Sequence, residues 1–210
     1  MTAGRALPRL YIVTDSRAVT NLPATLSVAL AAAHGNVMVQ LREKHLEGRA
    51  LLDLGRQVAA VTRPRGCPLL VNDRIDLALA LGADGVHLPE SSFAVADARR
   101  LLGDDSLIGV STHTPGSAKE RLGAGADFVV CGPVWDTPSK RGMGDPIGVD
   151  TLQRACGEAR GPVFAIGGVS SAARARTART AGAHGVALIR AVLSAHDPAA
   201  ASRDFLDALA

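Results

Sequence analysis

Short apolar runs rich in β-branched residues alternate along the whole chain with longer stretches of helical periodicity. Leu10 to Thr14, Val37 to Leu41, Leu69 to Val71, Gly85 to Leu88, Leu107 to Val110, Phe128 to Cys131, Val163 to Ile166 and Val186 to Ile189 predict eight strands. Residues 23–34, 47–62, 75–81, 93–102, 116–123, 149–159, 171–181 and Pro198 to Leu209 predict the helices between and after them. Strands without a polar alternation are buried on both faces, the condition of a parallel sheet covered by helices. Eight such units close naturally into an α/β fold, a single (β/α)8 TIM barrel spanning residues 1–210 as one domain. A doubly wound open sheet is the alternative; the unit count and the missing GxGxxG after the first strand speak against it.

A repeat supports the same architecture. Gly82-Ala-Asp-Gly-Val-His87, Gly125-Ala-Asp-Phe-Val-Val130 and Gly182-Ala-His-Gly-Val-Ala187 each place a glycine where a helix should stop and a short turn should lead into a strand. These are joints at the lower face of a barrel and carry no chemistry.

Composition narrows the function. With 47% hydrophobic and 20% charged residues the chain is ordinary globular protein. It holds no apolar stretch near the ~20 residues of a membrane span, and Met1 to Arg5 leads into no signal-type segment, so a cytoplasmic protein without membrane partners is expected. Cys67, Cys131 and Cys156 are far apart and odd in number, which predicts small buried residues and neither a disulfide framework nor a zinc site. The net charge of +3 is scattered and aromatic residues make up only 3%, which excludes a basic stacking surface for nucleic acid. Self-association into a homo-oligomer stays open. Only Lys44, Lys119 and Lys140 depart from an otherwise all-arginine basic set. A lysine at a strand end then points to a need for its compact ammonium, whereas Lys119 lies in a helical pattern.

In such barrels the loops after the strands build the active site. Those positions read Gln40-Leu-Arg-Glu-Lys44, Asn72-Asp-Arg74, His87-Leu-Pro-Glu90, Ser111-Thr-His113, Gly167-Gly-Val-Ser170 and Ile189-Arg190. After the sixth strand comes a long Gly- and Pro-rich connection, Gly132 to Gly148, holding Trp135, Thr137, Ser139, Lys140 and Arg141. Its composition suits gripping and covering an anion, although a surface loop facing water has the same residues.

Each position has two readings. If the chain stays extended, Gln40, Arg42 and Lys44 share one side, with Gln40 orienting a ligand and the two cations binding phosphate oxygens; a strand-end ion pair with Glu43 is the structural alternative. Asp73 beside Asn72 suits Mg²⁺ helped by substrate phosphates, or an N-cap for the next helix. Gly167-Gly168 offers bare N–H groups to a phosphate, or merely a tight turn. His113 suits general acid or base chemistry near neutrality, or a structural hydrogen bond, and His87 reads as structural.

The ordered motifs LYIVTD at Leu10, QLREK at Gln40, VNDR at Val71, GADGVHLP at Gly82, GVSTH at Gly109, GPVWDTPSK at Gly132 and AIGGVS at Ala165 resemble the thiamin-phosphate synthase and thiazole tautomerase superfamily over nearly the whole length. The resemblance implies an enzyme of thiamin biosynthesis built as a (β/α)8 barrel and acting on thiazole phosphate. In the synthase branch, hydroxymethylpyrimidine pyrophosphate condenses with thiazole phosphate, and pyrophosphate leaves with Mg²⁺. On that pattern Gln40, Arg42, Lys44, Asn72 and Lys140 match positions handling pyrimidine and pyrophosphate, with Lys140 counted as catalytic. Asp73 matches a metal carboxylate and Ser111 a hydroxyl near the reacting carbon. Thr137, Ser139, Gly168 and Ile189 match positions around the thiazole phosphate.

Two departures stand out. Ser92, in Pro89-Glu-Ser-Ser92, occupies the position of a second metal carboxylate, with Glu90 two residues away as an alternative donor. Arg190 replaces a serine, binding the same phosphate or reshaping its pocket. The Pro89 to Phe93 run resembles the tautomerase branch, in which the histidine matching His113 shuttles a proton to aromatise the thiazole carboxylate phosphate. The synthase is the leading expectation and the tautomerase the alternative. A non-catalytic phosphate-ligand barrel and a Schiff-base enzyme using Lys44 are further readings.

Overall fold

All eight apolar runs pair in parallel, each with the next and the last with the first, so the sheet closes on itself. The computed structural model describes residues 6–31, 35–137 and 145–210. Its strands are β1 Leu10–Val13, β2 Val37–Leu41, β3 Leu69–Asn72, β4 Gly85–Leu88, β5 Leu107–Thr112, β6 Phe128–Cys131, β7 Val163–Ile166 and β8 Gly185–Leu188. The helices are α1 Leu22–Ala29, α2 Gly48–Thr62, α3 Ile75–Leu81, α4 Val95–Leu102, α5 Pro115–Gly123, α6 Gly148–Glu158, α7 Ala172–Thr180, α8 Arg190–Leu193 and α9 Pro198–Leu209. The four-residue α8 escapes prediction because one turn is too short to show a period. Helix α1 stops earlier than expected, and residues 32–34 of its predicted range lie outside the described residues.

Closure gives every strand an inner and an outer face, and residues two apart share one. The outer faces, such as Leu10, Ile12, Val37, Val39, Val129 and Cys131, pack under the helices in the larger apolar core. The inner faces supply a second cluster of Tyr11, Val13, Met38, Leu70, Phe128, Val130, Phe164 and Ala187. Tyr11, Phe128 and Phe164 meet edge-on with centroids 5.3 to 6.1 Å apart, so their rings fill the barrel. His87 joins them 5.8 Å from Tyr11 and 6.1 Å from Phe128. Gly109 faces this layer, where a Cβ would lie 2.3 Å from Phe128 Cζ and 2.9 Å from His87 Nδ1; the aromatic plug leaves room for hydrogen alone.

The repeated joints behave as expected. Gly82, Gly125 and Gly182 take positive φ, and the residue after each donates back to a carbonyl five residues earlier: Ala83 to Ala78, Ala126 to Arg121, Ala183 to Ala178. Asp84 and Asp127 of the first two repeats then accept the N–H groups of Leu69 and Ile108 at 2.9 and 2.7 Å, tying each joint to the neighbouring strand. No helix among the described residues is long and apolar enough to cross a membrane. Cys67 and Cys131 are buried and Cys156 half-buried, and burial pushes the Cys131 and Cys156 thiols up to about 11, so they are packing residues.

Burial holds His87 neutral: desolvation, with the Arg42 charge adding, pushes its imidazole down to about 3. In the unfolded chain it returns to about 6.5, so between these values the unfolded state binds the extra proton and stability falls with pH. From about pH 7 to about pH 5 this group should remove on the order of 2 kcal/mol of stability. Urea titrations should therefore show a steeper pH dependence for the native chain than for His87→Gln, and equal slopes would count against the buried neutral imidazole.

Candidate active site

Polar groups take over the inner face as the strands approach their C-terminal ends. Gln40, Asn72, His87 and Ser111 follow the apolar inward positions Met38, Leu70, Gly85 and Gly109, each two residues further along its strand. The structure therefore places these four on neighbouring strands at one end of the barrel. Gln40 is buried and its Nε2 donates to Tyr11 Oη at 3.0 Å, which fixes the amide. Burial pushes the Tyr11 phenol up, so it stays neutral. Ser111 Oγ lies 2.9 Å from His87 Nε2, which makes His87 the residue that orients this hydroxyl. Asn72 pairs in register with His87.

Arg42 continues from Gln40 as expected, half-buried, with its N–H donating to Thr14 Oγ1 at 2.9 Å. Burial lowers its pKa, partly offset by Asp15 and Glu43, and a guanidinium stays charged under that shift. The expectation for Lys44 needs correction. A turn bonds Leu46 N–H to Glu43 O at 3.0 Å, so the extended run ends at Glu43 and Lys44 leaves the common side as an exposed turn residue. The alternative of an Arg42–Glu43 ion pair is absent among the described residues as well. Glu43 is buried and accepts from Ser16 N–H at 2.8 Å, with His45 Nδ1 at 3.9 Å, tying the loop after β1 to the end of β2.

Asp73 has a left-handed backbone, φ 63°, which costs a non-glycine residue of order 1–3 kcal/mol and persists only where the surroundings impose it. Its N–H donates to His87 O at 3.0 Å and its Oδ1 accepts from Ser92 Oγ. The N-cap alternative falls away: Arg74 holds that position of α3, with no side-chain cap bond. His113 donates from Nδ1 to Gly132 O at 2.5 Å, which leaves Nε2 facing Glu90 Oε2 at 3.8 Å across the ends of β4 and β5.

The loop after β6 is pinched at its base. Val134 and Trp135 donate to Ile166 O and Gly167 O at 2.8 and 3.0 Å, while Ile147 and Gly148 return to Pro133 O and Val134 O at 2.8 and 3.2 Å. Gly167 and Gly168 take φ 89° and 68°, and a Cβ on either would meet Pro133 or Trp135 at 2.4 and 2.6 Å. Close packing of the two loops thus explains the glycine pair before any ligand is considered. Arg174 braces it, donating to Gly168 O at 2.5 Å with its guanidinium 5.4 Å from the Trp135 ring centre. Thr137 closes the described part of the loop, and Ser139 and Lys140 lie outside the described residues. Ile189 precedes α8, and Arg190 opens that helix as an exposed residue.

The residue pattern marks His87 as structural and does not single out Tyr11 or Arg174. The two-residue alternation carried the signal for the first two: both lie inward, under or beside a site residue.

Residues 10–192 match the family described as thiamine monophosphate synthase. The chain is 46% identical to a Geobacter sulfurreducens relative over 94% of its own length and 92% of the other's. To the thiamine-phosphate synthase of Roseiflexus sp. it is 41% identical, over 92% of this chain and 82% of that one. Among solved structures it resembles the thiamine phosphate pyrophosphorylase of Pyrococcus furiosus with a TM-score of 0.85 and 29% identity, covering 96% of this chain and 95% of that one. This barrel belongs to the thiamine monophosphate synthase family.

Proposed function

We propose that the barrel mouth joins hydroxymethylpyrimidine pyrophosphate to thiazole phosphate. The carbon–oxygen bond to pyrophosphate breaks, and the pyrimidine carbocation is captured by the thiazole nitrogen, forming the carbon–nitrogen bond of thiamin phosphate. The observation that carries this reading is the division of the site in two: a neutral floor of Tyr11, Gln40, His87 and Ser111 beneath charged groups at the ends of β2 and β3. A buried neutral floor suits an uncharged heterocycle, and the Arg42 guanidinium above it suits the charge that grows on a departing pyrophosphate.

On this reading Gln40 and Asn72 orient the pyrimidine, and Ser111, held by His87, stands near the reacting carbon. Arg42, with Lys140, meets the pyrophosphate. Thr137, Ser139, Gly168, Ile189 and Arg190 surround the thiazole phosphate, where loops after the seventh and eighth strands commonly bind phosphate in this fold. Asp73, with Ser92 on the same carboxylate, would hold Mg²⁺; a single carboxylate fits an ion that usually takes one or two and draws its remaining oxygens from water and phosphate. When bound, the ion supplies charge neutralisation to the leaving group.

The His113–Glu90 pair favours a second activity at the same mouth, aromatisation of the thiazole carboxylate tautomer. With Nδ1 anchored on Gly132 O, the open Nε2 beside a carboxylate is arranged to move a proton.

Arg42→Ala should lower kcat/KM for thiamin phosphate formation by about 10²-fold or more, the usual consequence of removing one preorganised donor from developing charge; an unchanged rate would remove Arg42 from the reaction. His113→Gln should keep condensation within about threefold of the native rate while abolishing isomerisation of the unaromatised thiazole, given the usual ~10²–10⁴-fold share of a general acid or base. Native-like isomerisation in that variant would exclude the second activity.

A further inference from the structure

Beyond Val13 and Gln40, the last paired residues of β1 and β2, a ladder of polar contacts keeps the two chains joined. Thr14 N–H donates to Gln40 O at 2.9 Å, Arg42 N–H to Thr14 Oγ1 at 2.9 Å and Ser16 N–H to Glu43 Oε2 at 2.8 Å, and His45 Nε2 lies 3.2 Å from Ser16 Oγ. Arg42 stands inside this ladder, with one rung at its own N–H and the next on the residue that follows. Whatever tightens the ladder therefore holds the Arg42 backbone.

The outer rungs cost more than a simple tie requires. The Glu43 side chain is wholly buried, takes one N–H donor on Oε2, and leaves Oε1 buried without a partner among the described residues. A glutamine would accept from Ser16 equally well and would take no charge out of water, where an ion is stabilised only by opposite charge and further donors. Two cationic side chains can answer the carboxylate. Arg42 feels its charge, and His45, 32% exposed, turns Nδ1 toward Oε2 at 3.9 Å. At that distance a neutral ring makes no hydrogen bond to Glu43. A protonated ring donates from both nitrogens, Nε2 to Ser16 Oγ and Nδ1 to Glu43, and so closes the two outer rungs together. The other charged groups on the segments meeting here are Asp15 and Arg17 after β1, Arg42, Lys44 and Glu47 after β2, and Arg190 on α8, which reaches the first loop through Ser194 Oγ and Ala18 O at 3.4 Å. Asp15 is paired with Arg17 at 3.3 Å. Of the groups at the clasp only His45 is of a type whose charge ordinarily changes between about pH 5 and 8.

Resting on the synthase reading, we propose that Glu43 and His45 are positioning residues for Arg42, and that protonation of His45 closes the clasp and tightens the grip of Arg42 on pyrophosphate. Both act through the guanidinium and neither meets the substrate. The closed clasp fixes the backbone that carries Arg42, and the imidazolium takes up the Glu43 charge that otherwise competes with pyrophosphate for the same cation.

The test follows inorganic pyrophosphate binding by equilibrium dialysis, and kcat/KM for thiamin phosphate formation, on the full chain with Mg²⁺ between about pH 5.5 and about pH 8.5. His45→Gln keeps an N–H for Ser16 Oγ and Glu43→Gln keeps an acceptor for Ser16 N–H, so each removes a charge and leaves the tie. Titration of pyrophosphate itself is common to all the proteins and cancels in the comparison. As the pH falls from about 8 to about 6 the native chain should gain about fivefold or more in pyrophosphate affinity relative to His45→Gln, and kcat/KM should follow. Glu43→Gln should lose the same dependence although its histidine is intact, a result that a merely structural Glu43 would not give. In an Arg42→Ala background His45→Gln should change kcat/KM no further at any pH, because the residue through which it acts is gone. Superimposable native and His45→Gln profiles, a Glu43→Gln variant that keeps the dependence, or a His45 effect that survives Arg42→Ala would overturn the inference and leave the synthase reading standing. A native chain that neither binds pyrophosphate nor forms thiamin phosphate at any pH would overturn the two together.

Discussion

Closure of the sheet is the constraint on which the rest of this molecule depends. Once β8 pairs with β1, half of every strand's side chains point into a space that no solvent enters, and that space must be filled. Tyr11, Phe128 and Phe164 fill it with aromatic volume, and Gly109 yields the room they need. The next inward residues along β2 to β5 then have no choice about where they stand. Gln40, Asn72, His87 and Ser111 rest on or beside the plug, their rotamers limited by what lies beneath, and the site is preorganised without any ligand.

That floor is polar yet uncharged, and the reason is electrostatic. Tyr11 is held in its phenol form by burial and His87 in its neutral form by burial and the Arg42 charge. A charged group in the same place would face a desolvation penalty of several kcal/mol with no partner to repay it. Charged groups gather instead on the rim: Arg42 half-buried beyond Gln40, Asp73 beyond Asn72 and Glu90 beyond β4, while the buried Glu43 is held by Ser16 N–H. The separation of neutral floor from charged rim follows from burial alone, and it matches a substrate made of a neutral ring attached to a charged leaving group.

Much of this was legible in the chain. The eight strands and the glycine joints were, because each depends on local pattern: consecutive apolar residues, and a glycine where a helix must stop. The gathering of Gln40, Asn72, His87 and Ser111 at one end was legible by position once the barrel was inferred. What failed was anything decided by backbone beyond the strands. Lys44 was expected on the side of Gln40 and Arg42, but the Glu43–Leu46 turn is set by the buried Glu43, whose partner Ser16 lies 27 residues away. Asp73 was open between capping and metal binding because nothing local announces a left-handed aspartate held by Ser92 from another loop. His87 was expected to be structural, and it is, though its structural role is exerted on Ser111.

The glycine pair shows how one local feature can answer to two demands. Gly167 and Gly168 are required by the approach of Pro133 and Trp135, so their presence is no evidence for a phosphate by itself. Yet the same approach bonds the outgoing end of the Gly132 to Gly148 connection to Ile166 and Gly167 at the end of β7, its returning end bonds to Pro133 and Val134, and Arg174 bridges Gly168 O to the Trp135 ring. A loop anchored in this way cannot swing from its root. The anchored root holds Trp135 and Asp136 against Gly168 at the end of β7, where the thiazole phosphate is proposed to sit, and Thr137 follows directly in the chain. Steric packing thus sets the position of the loop's root, which is why a side chain at either glycine would be felt through the placement of Pro133 and Trp135 before any lost N–H contact.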